Sequence, residues 1–174
     1  QINNFRISSP NFKIIILRYP NIIGSDPSGK LGEKNNFISR IVPLFYKNLI
    51  KKKDNILFYD YMSKEFPYRN YMHVDDIANV NLKIIENLKK VKKNYYIFNV
   101  QNKKQYSNFQ VLDVLSKILK VKPRYSLRQI SKKESIAQSF KFKDDIFKFI
   151  KYKPKYINLK EILKTNIKWF KKIY

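Results

Sequence analysis

The apolar run at residues 13–19, with the sequence KIIILRY, constrains the fold more than any other stretch. It is continuous and rich in β-branched residues, which predicts a parallel strand buried on both faces. A buried helix is the alternative, but Pro10 and Pro20 limit the run to the length of a strand. A strand buried in this way needs neighbouring strands on both sides, so the chain is expected to contribute to a parallel sheet.

All three glycines of the chain, Gly24, Gly29 and Gly32, follow closely after this run. Together with Pro27 they predict one tightly turning loop that approaches another group closely. The loop lacks the G-x-G-x-x-G spacing of a dinucleotide-binding turn, and that spacing occurs nowhere else in the sequence.

Periodic apolar patterns predict strands and helices that alternate along the rest of the chain, which indicates an α/β architecture. The first predicted helix contains Pro43, which is expected to kink it or end its first part, and residues 51–53 are expected to form a solvated turn. The strands found in this way are too few for a stable doubly wound sheet, so the core is expected to be incomplete. Strands are predicted at 56–59, 95–100 and 124–130 (an edge strand), and helices at 36–47, 78–91, 107–119, 143–150 and 159–170. The second helix is expected to bury Ile77, Val80, Ile84, Ile85 and Leu88.

Residues 69–76, RNYMHVDD, combine an arginine, two aromatic residues and the predicted start of a helix. Arginine presents a planar fork of donors that matches phosphate oxygens two at a time. Asp75 and Asp76 are typical helix N-cap residues. The segment is therefore a candidate anion clamp, and a surface arginine in a loop is the alternative interpretation of Arg69.

Composition excludes some classes of protein and weakens others. The chain has no cysteine, which excludes disulfides and thiolate metal sites, and one histidine, which argues against a zinc site or a Ser-His-Asp triad. No apolar run reaches the roughly 18 residues of a membrane helix. The net charge of +24 suggests nucleic acid or an anionic surface. The lysines are spread along the chain, however, and AT-rich codons favour the abundant Lys, Asn, Ile, Tyr and Phe, so nucleic-acid binding remains only an alternative.

Two motifs resemble the UDP-glucose 4-epimerase family of extended short-chain dehydrogenases/reductases. Residues 69–76 are similar to its R-D-Y-I-H-V-x-D segment. Residues 17–33, LRYPNIIGSDPSGKLGE, resemble its L-R-Y-F-N-x-x-G-x-x-P-S-G-x-x-G-E segment, in a version similar to the UDP-arabinose 4-epimerases. The resemblance implies the C-terminal part of a Rossmann-type NAD-binding fold joined to a small sugar-nucleotide-binding domain.

The same resemblance implies a division of the chain and of the chemistry. Residues 1–25 and 71–120 would form the last strands and helices of the Rossmann-type sheet, and residues 26–70 and 121–174 the UDP-sugar domain. The N-terminal half, with the NAD-binding turn and the catalytic Tyr-x-x-x-Lys pair, is not in this sequence. We therefore assign no catalytic residue here, and expect the chain alone to be inactive and to need that half as a partner.

The family's binding residues can be carried over position by position. Pro20 replaces the phenylalanine beside the nicotinamide, and Asn70 replaces the aspartate that follows the diphosphate-binding arginine. Asn36 also fits a helix cap and residues 56–58 a core strand, so those simpler roles stay open, and Lys132 or Lys133 could substitute for Arg128. The candidate substrate-binding residues are Asn21, Asn36, Phe37, Ile56, Leu57, Phe58, Arg69, Asn108, Arg128 and Glu134.

For the complete protein, the resemblance implies a cytoplasmic, NAD-dependent isomerase that binds a UDP-sugar and forms a homodimer, with no membrane partner. Another NDP-sugar epimerase or dehydratase of the same fold is the nearest alternative. A basic nucleic-acid-binding protein, or a non-catalytic relic of the fold, comes next. The residues do not distinguish glucose from xylose or arabinose substrates, nor the cytosol from a secretory compartment.

Overall fold

The computed structural model describes residues 12–34, 40–51, 56–60, 68–129 and 146–174, with the backbone alone for 57–60 and 127–129. Predictions made for Asn36, Phe37, Lys132, Lys133 and Glu134 lie outside these ranges. The division of the chain between two domains stays a prediction.

Strands and helices alternate along the described chain, and the sequence-based α/β prediction is confirmed. The structure adds three strands that the sequence patterns had not separated from loops, at residues 21–23, 68–73 and 105–107. The strands are β1 (Ile14–Arg18), β2 (Asn21–Ile23), β3 (Ile56–Asp60), β4 (Tyr68–His73), β5 (Tyr95–Asn99), β6 (Gln105–Ser107) and β7 (Tyr125–Gln129). The helices are α1 (Ile41–Lys51), α2 (Val74–Glu86), α3 (Asn108–Leu119), α4 (Ile146–Phe149) and α5 (Leu159–Ile173), with a 3-10 turn at Leu88–Lys90.

The strands pair mostly in parallel, as the continuous apolar runs predict. Strand β1 pairs with β5, β2 with β4, and β3 with β7, all in parallel, whereas β4 and β6 are antiparallel. Strand β4 is central because it pairs with β2 on one edge and with β6 on the other.

Strand β1 is less buried than the sequence predicts. Within the described ranges it pairs only with β5. The side chains of residues 14–17 are half-buried, and that of Arg18 is exposed. The expectation of burial on both faces is therefore wrong for the described chain. In addition, no second strand among the described residues pairs with the other edge of β1.

Two hydrophobic cores lie on opposite faces of β4. Successive strand residues point to opposite faces, so Tyr71 packs in one core and Met72 in the other. The helical core lies between α1, α3 and α5 and includes Val42, Phe45, Leu112, Leu115, Leu163 and Phe170. The sheet core lies against β1, β5 and α2 and includes Ile77, Val80, Ile84, Phe98, Val100 and Ile146.

Helix α2 differs from its prediction in its start and in its buried face. Its N-cap is His73, whose ring accepts a hydrogen bond from the Asp75 backbone, so Asp75 and Asp76 lie inside the first turn. Ile85 and Leu88 are exposed rather than buried, at 63% and 38%. Each helical residue turns by about 100°, so burying Ile84 directs its neighbour Ile85 towards solvent.

The first predicted helix ends later than expected, since α1 (Ile41–Lys51) continues to Lys51. Pro43 lies in its first turn, where a missing N–H costs nothing, so it neither kinks nor ends the helix. Lys51 accordingly belongs to the helix and not to the predicted turn. The start of α3 agrees with the helix predicted at 107–119, and its N-cap is Ser107. Ser107 accepts from the Gln110 backbone, and the Gln110 side chain accepts from the Ser107 backbone.

Candidate functional site

A cleft of about 490 Å³ opens beside the carboxyl end of β1 and the middle of β4. It brings together four residues selected from the sequence, namely Pro20, Asn21, Arg69 and Asn108. The rest of its described lining consists of Ile22, Ile23, Glu33, Arg40, Ile41, Val42, Pro43 and Tyr71. The wall thus combines apolar side chains with two asparagines and three charged side chains, a mixture that suits a polar small molecule.

Strand pairing explains why residues far apart in sequence meet here. Asn21 is opposite Tyr71 in the parallel pair of β2 and β4. Arg69 is opposite Tyr106 in the antiparallel pair of β4 and β6. Asn108, the first residue of α3, follows directly after β6. The sheet around β4 therefore holds three candidate ligands in one wall.

Arg69 and Tyr71 lie on the same face of β4, because they are two residues apart in a strand. Tyr71 is 2% exposed, and burial raises the pKa of its hydroxyl to about 12, while the nearby Arg69 charge acts in the opposite direction. Nη1 of Arg69 donates to the Tyr68 carbonyl at 3.2 Å. The Tyr71 hydroxyl is thus neutral at physiological pH, and Arg69 is the cation of this strand.

A second arginine lines the cleft, and the sequence analysis missed it. Nε of Arg40 is 3.2 Å from Oε1 of Glu33, with side-chain exposures of 63% and 27%. Arg40 comes just before α1, whereas Glu33 ends the glycine loop, defined here as residues 24–33. No motif pointed to Arg40, and only the three-dimensional structure brings it to the same cleft as Arg69.

The glycine loop lies against helix α5, which is the close approach that its glycines predicted. The backbone N–H groups of Gly24 and Ser25 donate to Asn166 at 2.8 Å and to Thr165 at 3.0 Å. The indole N–H of Trp169 donates to the Glu33 carbonyl at 2.9 Å. Lys168 and Lys172 add bonds to the carbonyls of Pro27 and Gly29.

At two of the three glycine positions, any side chain would clash with a neighbouring ring. A Cβ at Gly24 would lie 2.4 Å from the His73 ring, and Gly24 also has a φ of +93°. A Cβ at Gly32 would lie 2.5 Å from the Trp169 ring. Either contact would push the loop away from its support, so these glycines fix the position of Glu33 at the rim of the cleft.

His73 is a fully buried link between β4, the glycine loop and α5. Its Nδ1 accepts from the Asp75 backbone at 3.0 Å, so the proton is on Nε2, which donates to Thr165 Oγ1 at 2.9 Å. The ring stacks on Tyr156 with centroids 3.8 Å apart. Burial lowers the pKa of His73, opposed by the Asp76 and Asp75 charges and reinforced by that of Lys155. His73 is therefore a neutral structural residue rather than a metal ligand or base.

Asp76, in the first turn of α2, is also fully buried. Its carboxylate accepts from the Tyr152 hydroxyl at 2.6 Å and from the backbones of Lys155 at 2.8 Å and Tyr156 at 2.9 Å. Desolvation raises the pKa of Tyr152, and its hydrogen bond to Asp76 raises it further. The carboxylate thus holds residues 152–156 against the start of α2.

Asn70 has a positioning role that its substitution for the family aspartate had not suggested. Its side chain donates to the carbonyls of Asn102 at 2.5 Å and Lys104 at 3.1 Å, and accepts from the Asn102 backbone at 2.8 Å. An amide can do both, whereas a carboxylate only accepts. Asn70 therefore closes the glycine-free turn between β5 and β6.

The other predicted residues lie away from the described lining of this cleft. Ile56 is buried in the helical core at 4% exposure. Leu57 and Phe58 belong to β3, whose backbone pairs in parallel with β7, the strand that contains Arg128. These positions keep both of their earlier interpretations, because a core strand can still present its backbone to a ligand.

The pairing pattern defines a Rossmann-like α/β fold, and solved structures share it. A UDP-glucose 4-epimerase from Bifidobacterium longum in complex with NAD+ and UDP has TM-score 0.83 and 22% identity, covering 98% of this chain and 51% of that chain. A UDP-glucose-4-epimerase from Stenotrophomonas maltophila with bound NAD and formylated UDP-arabinopyranose has TM-score 0.81 and 19% identity, with 99% and 52% covered. Residues 2–100 match the NAD dependent epimerase/dehydratase family, and the chain belongs to this family.

Sequence relatives agree with the resemblance found from the two motifs, which is confirmed. The UDP-glucose 4-epimerase of Halalkalibacterium halodurans is 29% identical over 107 residues, which are 60% of this chain and 32% of the relative. That of Lacticaseibacillus casei is 25% identical over 162 residues, which are 90% of this chain and 48% of the relative. The chain thus spans about half the length of such relatives, or less.

Two further properties concern only the ranges that the structure describes. No helix there is long and apolar enough to cross a membrane. No cluster of acidic or histidine side chains there could hold a metal ion.

Proposed function

We propose that this chain is the UDP-sugar-binding part of an NAD-dependent UDP-sugar 4-epimerase. The observation that carries the proposal is the cleft in which Asn21, Arg69 and Asn108 converge with Pro20. In this proposal Arg69 binds the diphosphate through its guanidinium fork, while Asn21 donates to the sugar nucleotide and Asn108 lies near the uridine. Asn36, Phe37, residues 56–58, Arg128 and Glu134 remain proposed ligands of the same molecule.

Charge complementarity supports a diphosphate ligand. The described lining holds the cations Arg40 and Arg69 and a single carboxylate, that of Glu33. The chain as a whole carries a net charge of +24, which attracts anionic ligands. A dehydratase or another epimerase acting on an NDP-sugar would also use such a cleft, so it remains the second candidate within the family.

The catalytic step is proposed to need a second, cofactor-binding half. NAD, when bound, supplies a hydride acceptor and donor for sugar C4. Of the described residues only Pro20, at the carboxyl end of β1, is proposed to face the nicotinamide. This chain's own residues bind and orient the sugar nucleotide, so the chain alone is proposed to be inactive. A homodimer and a cytoplasmic location of the complete enzyme belong to the same proposal.

Calorimetric titration with UDP and with uridine tests the proposed ligand. Arg69→Ala should weaken UDP binding about ten- to a hundredfold, because a charge-assisted bidentate contact contributes on the order of 1.5–3 kcal/mol. Arg69→Lys should recover only part of the affinity, because an ammonium keeps the charge and loses the fork. Uridine has no diphosphate and should bind equally to all three proteins.

Arg124→Ala is the matched control, since it removes an arginine that is exposed and outside the described cleft lining. This variant should bind UDP as the parent does. Equal UDP affinity of Arg69→Ala and the parent would refute the role of Arg69 and, with it, the proposed site.

A further inference from the structure

We propose that Arg40 is a second diphosphate-binding cation, and that Glu33 occupies it until the ligand arrives. The inference rests on the proposed function, because it concerns the same cleft. In the structure the Arg40 guanidinium faces the Glu33 carboxylate at 3.2 Å. A phosphate oxygen would take the place of that carboxylate, so binding exchanges one ion pair for another without leaving Arg40 unpaired.

The position of Arg40 at the start of a helix favours the binding of an anion. Arg40 precedes the first turn of α1, where its carbonyl accepts from the Leu44 backbone at 3.1 Å. That first turn contains no acidic residue, and its residues Ile41 and Val42 line the cleft. The partial positive charge of a helix N-terminus therefore adds to the guanidinium charge at the same wall.

Arg40 and Arg69 reach the cleft from independent elements, one from the start of α1 and the other from β4. Two guanidinium forks match the several oxygens of a diphosphate better than one does, because each fork pairs with two oxygens. A diphosphate carries more than one negative charge, so it neutralises both cations, whereas Glu33 neutralises only one.

The ion pair between Glu33 and Arg40 can be broken easily, although the Glu33 backbone is held in place. The backbone of Glu33 is fixed, since its carbonyl accepts from the Trp169 indole and Gly32 packs on the same ring. Its carboxylate, by contrast, faces an Arg40 side chain that is 63% exposed. Ion pairs this close to solvent contribute little to stability, so the pair opens at little cost. Glu33 thus limits the affinity for any anion that Arg40 binds.

Calorimetric titration of the full chain with inorganic pyrophosphate and with UDP, at low ionic strength, tests this exchange. Arg40→Ala should weaken the binding of both ligands about two- to tenfold, as expected for a partly exposed charge contact. Glu33→Gln keeps the size of the side chain and removes its charge. It should tighten the binding of both ligands about two- to fivefold, because the competing carboxylate is gone.

The double variant Arg40→Ala/Glu33→Gln separates the exchange from a general charge effect. If Glu33 acts through Arg40, its substitution should bring a smaller gain, or none, once Arg40 is absent. An equal gain with and without Arg40 would overturn the inference, as would weaker binding to Glu33→Gln or an unchanged affinity of Arg40→Ala. Absence of pyrophosphate binding by the parent would overturn it as well.

The same titrations keep the failure of this inference distinct from that of the proposed function. If the parent binds UDP no better than pyrophosphate, the uridine nucleotide is not the ligand and the proposed function fails. The dependence of pyrophosphate binding on Arg40 and Glu33 still decides the exchange in that case. Arg124→Ala again serves as the charge control and should leave both affinities unchanged.

Discussion

The helical core and the sheet core, which share strand β4, differ in how completely they are enclosed. In the helical core, Leu163, Leu115 and Phe170 have no exposed surface. On the sheet side, α2 presents Leu82 and Ile85 to solvent at 52% and 63%, and Ile97 of β5 is 40% exposed. The sheet core has fully buried side chains of its own, such as Val80 and Ile146, but α2 and β5 around it leave several aliphatic side chains exposed, as expected if a further part of the protein covers β1 and α2.

The largest effect on stability should come from replacing leucine by alanine, and the same replacement should act differently on the two sides of β4. Leu163→Ala removes a fully buried side chain from the helical core and should lower the free energy of unfolding by about 2–5 kcal/mol. Leu82→Ala, on the outer side of α2, should change it by less than about 0.5 kcal/mol. Urea denaturation of both variants measures the contrast. A similar loss for Leu82→Ala would mean that the outer face of α2 is already covered.

A smaller but still large effect is expected at the polar junction between the cores. Asp76→Ala leaves the Lys155 and Tyr156 N–H groups and the Tyr152 hydroxyl without their shared acceptor, so we expect a loss of about 2–4 kcal/mol. Tyr152→Phe removes only one of these bonds and should cost about 1 kcal/mol. Equal losses, measured by the same urea denaturation, would show that the backbone donors find other acceptors.

The sequence predicted the parts of the molecule that depend on local chemistry. The capping box of Ser107 and Gln110 lies within four residues, and the glycine loop is marked by its composition. His73 was missed as a cap because histidine is not a preferred N-cap residue. Arg40 was missed because its place in the cleft depends on the packing of α1 against the distant helices α3 and α5. Strand β6 is too short for a period-2 pattern to identify.

The smallest predicted effect is a pH dependence of stability that originates at His73. In the unfolded chain this ring has the ordinary histidine pKa of about 6.5, and burial lowers its pKa in the folded chain. Its contribution to stability is therefore complete above about pH 6.5. It declines as the pH falls below that value towards the folded pKa, by at most about 1.4 kcal/mol per pH unit.

His73→Asn keeps a side-chain acceptor at the N-cap and does not titrate in this range. Unfolding free energies measured from pH 7.5 to 5 should fall less steeply for this variant than for the parent. Parallel slopes would show that other groups, rather than His73, take up the protons that favour unfolding.

The hydrogen bonds between the glycine loop and α5 also determine how late in synthesis the loop can reach its folded position. They join residues between 136 and 143 positions apart in sequence. At a synthesis rate of about 5–20 residues per second, the loop waits roughly 7–28 s for its support. Over that interval nothing from α5 holds Glu33 at the rim, and closing so long a loop is slow in refolding as well. The supported rim of the cleft is therefore completed only after α5 has been made, well after helix α1, which begins directly after Arg40.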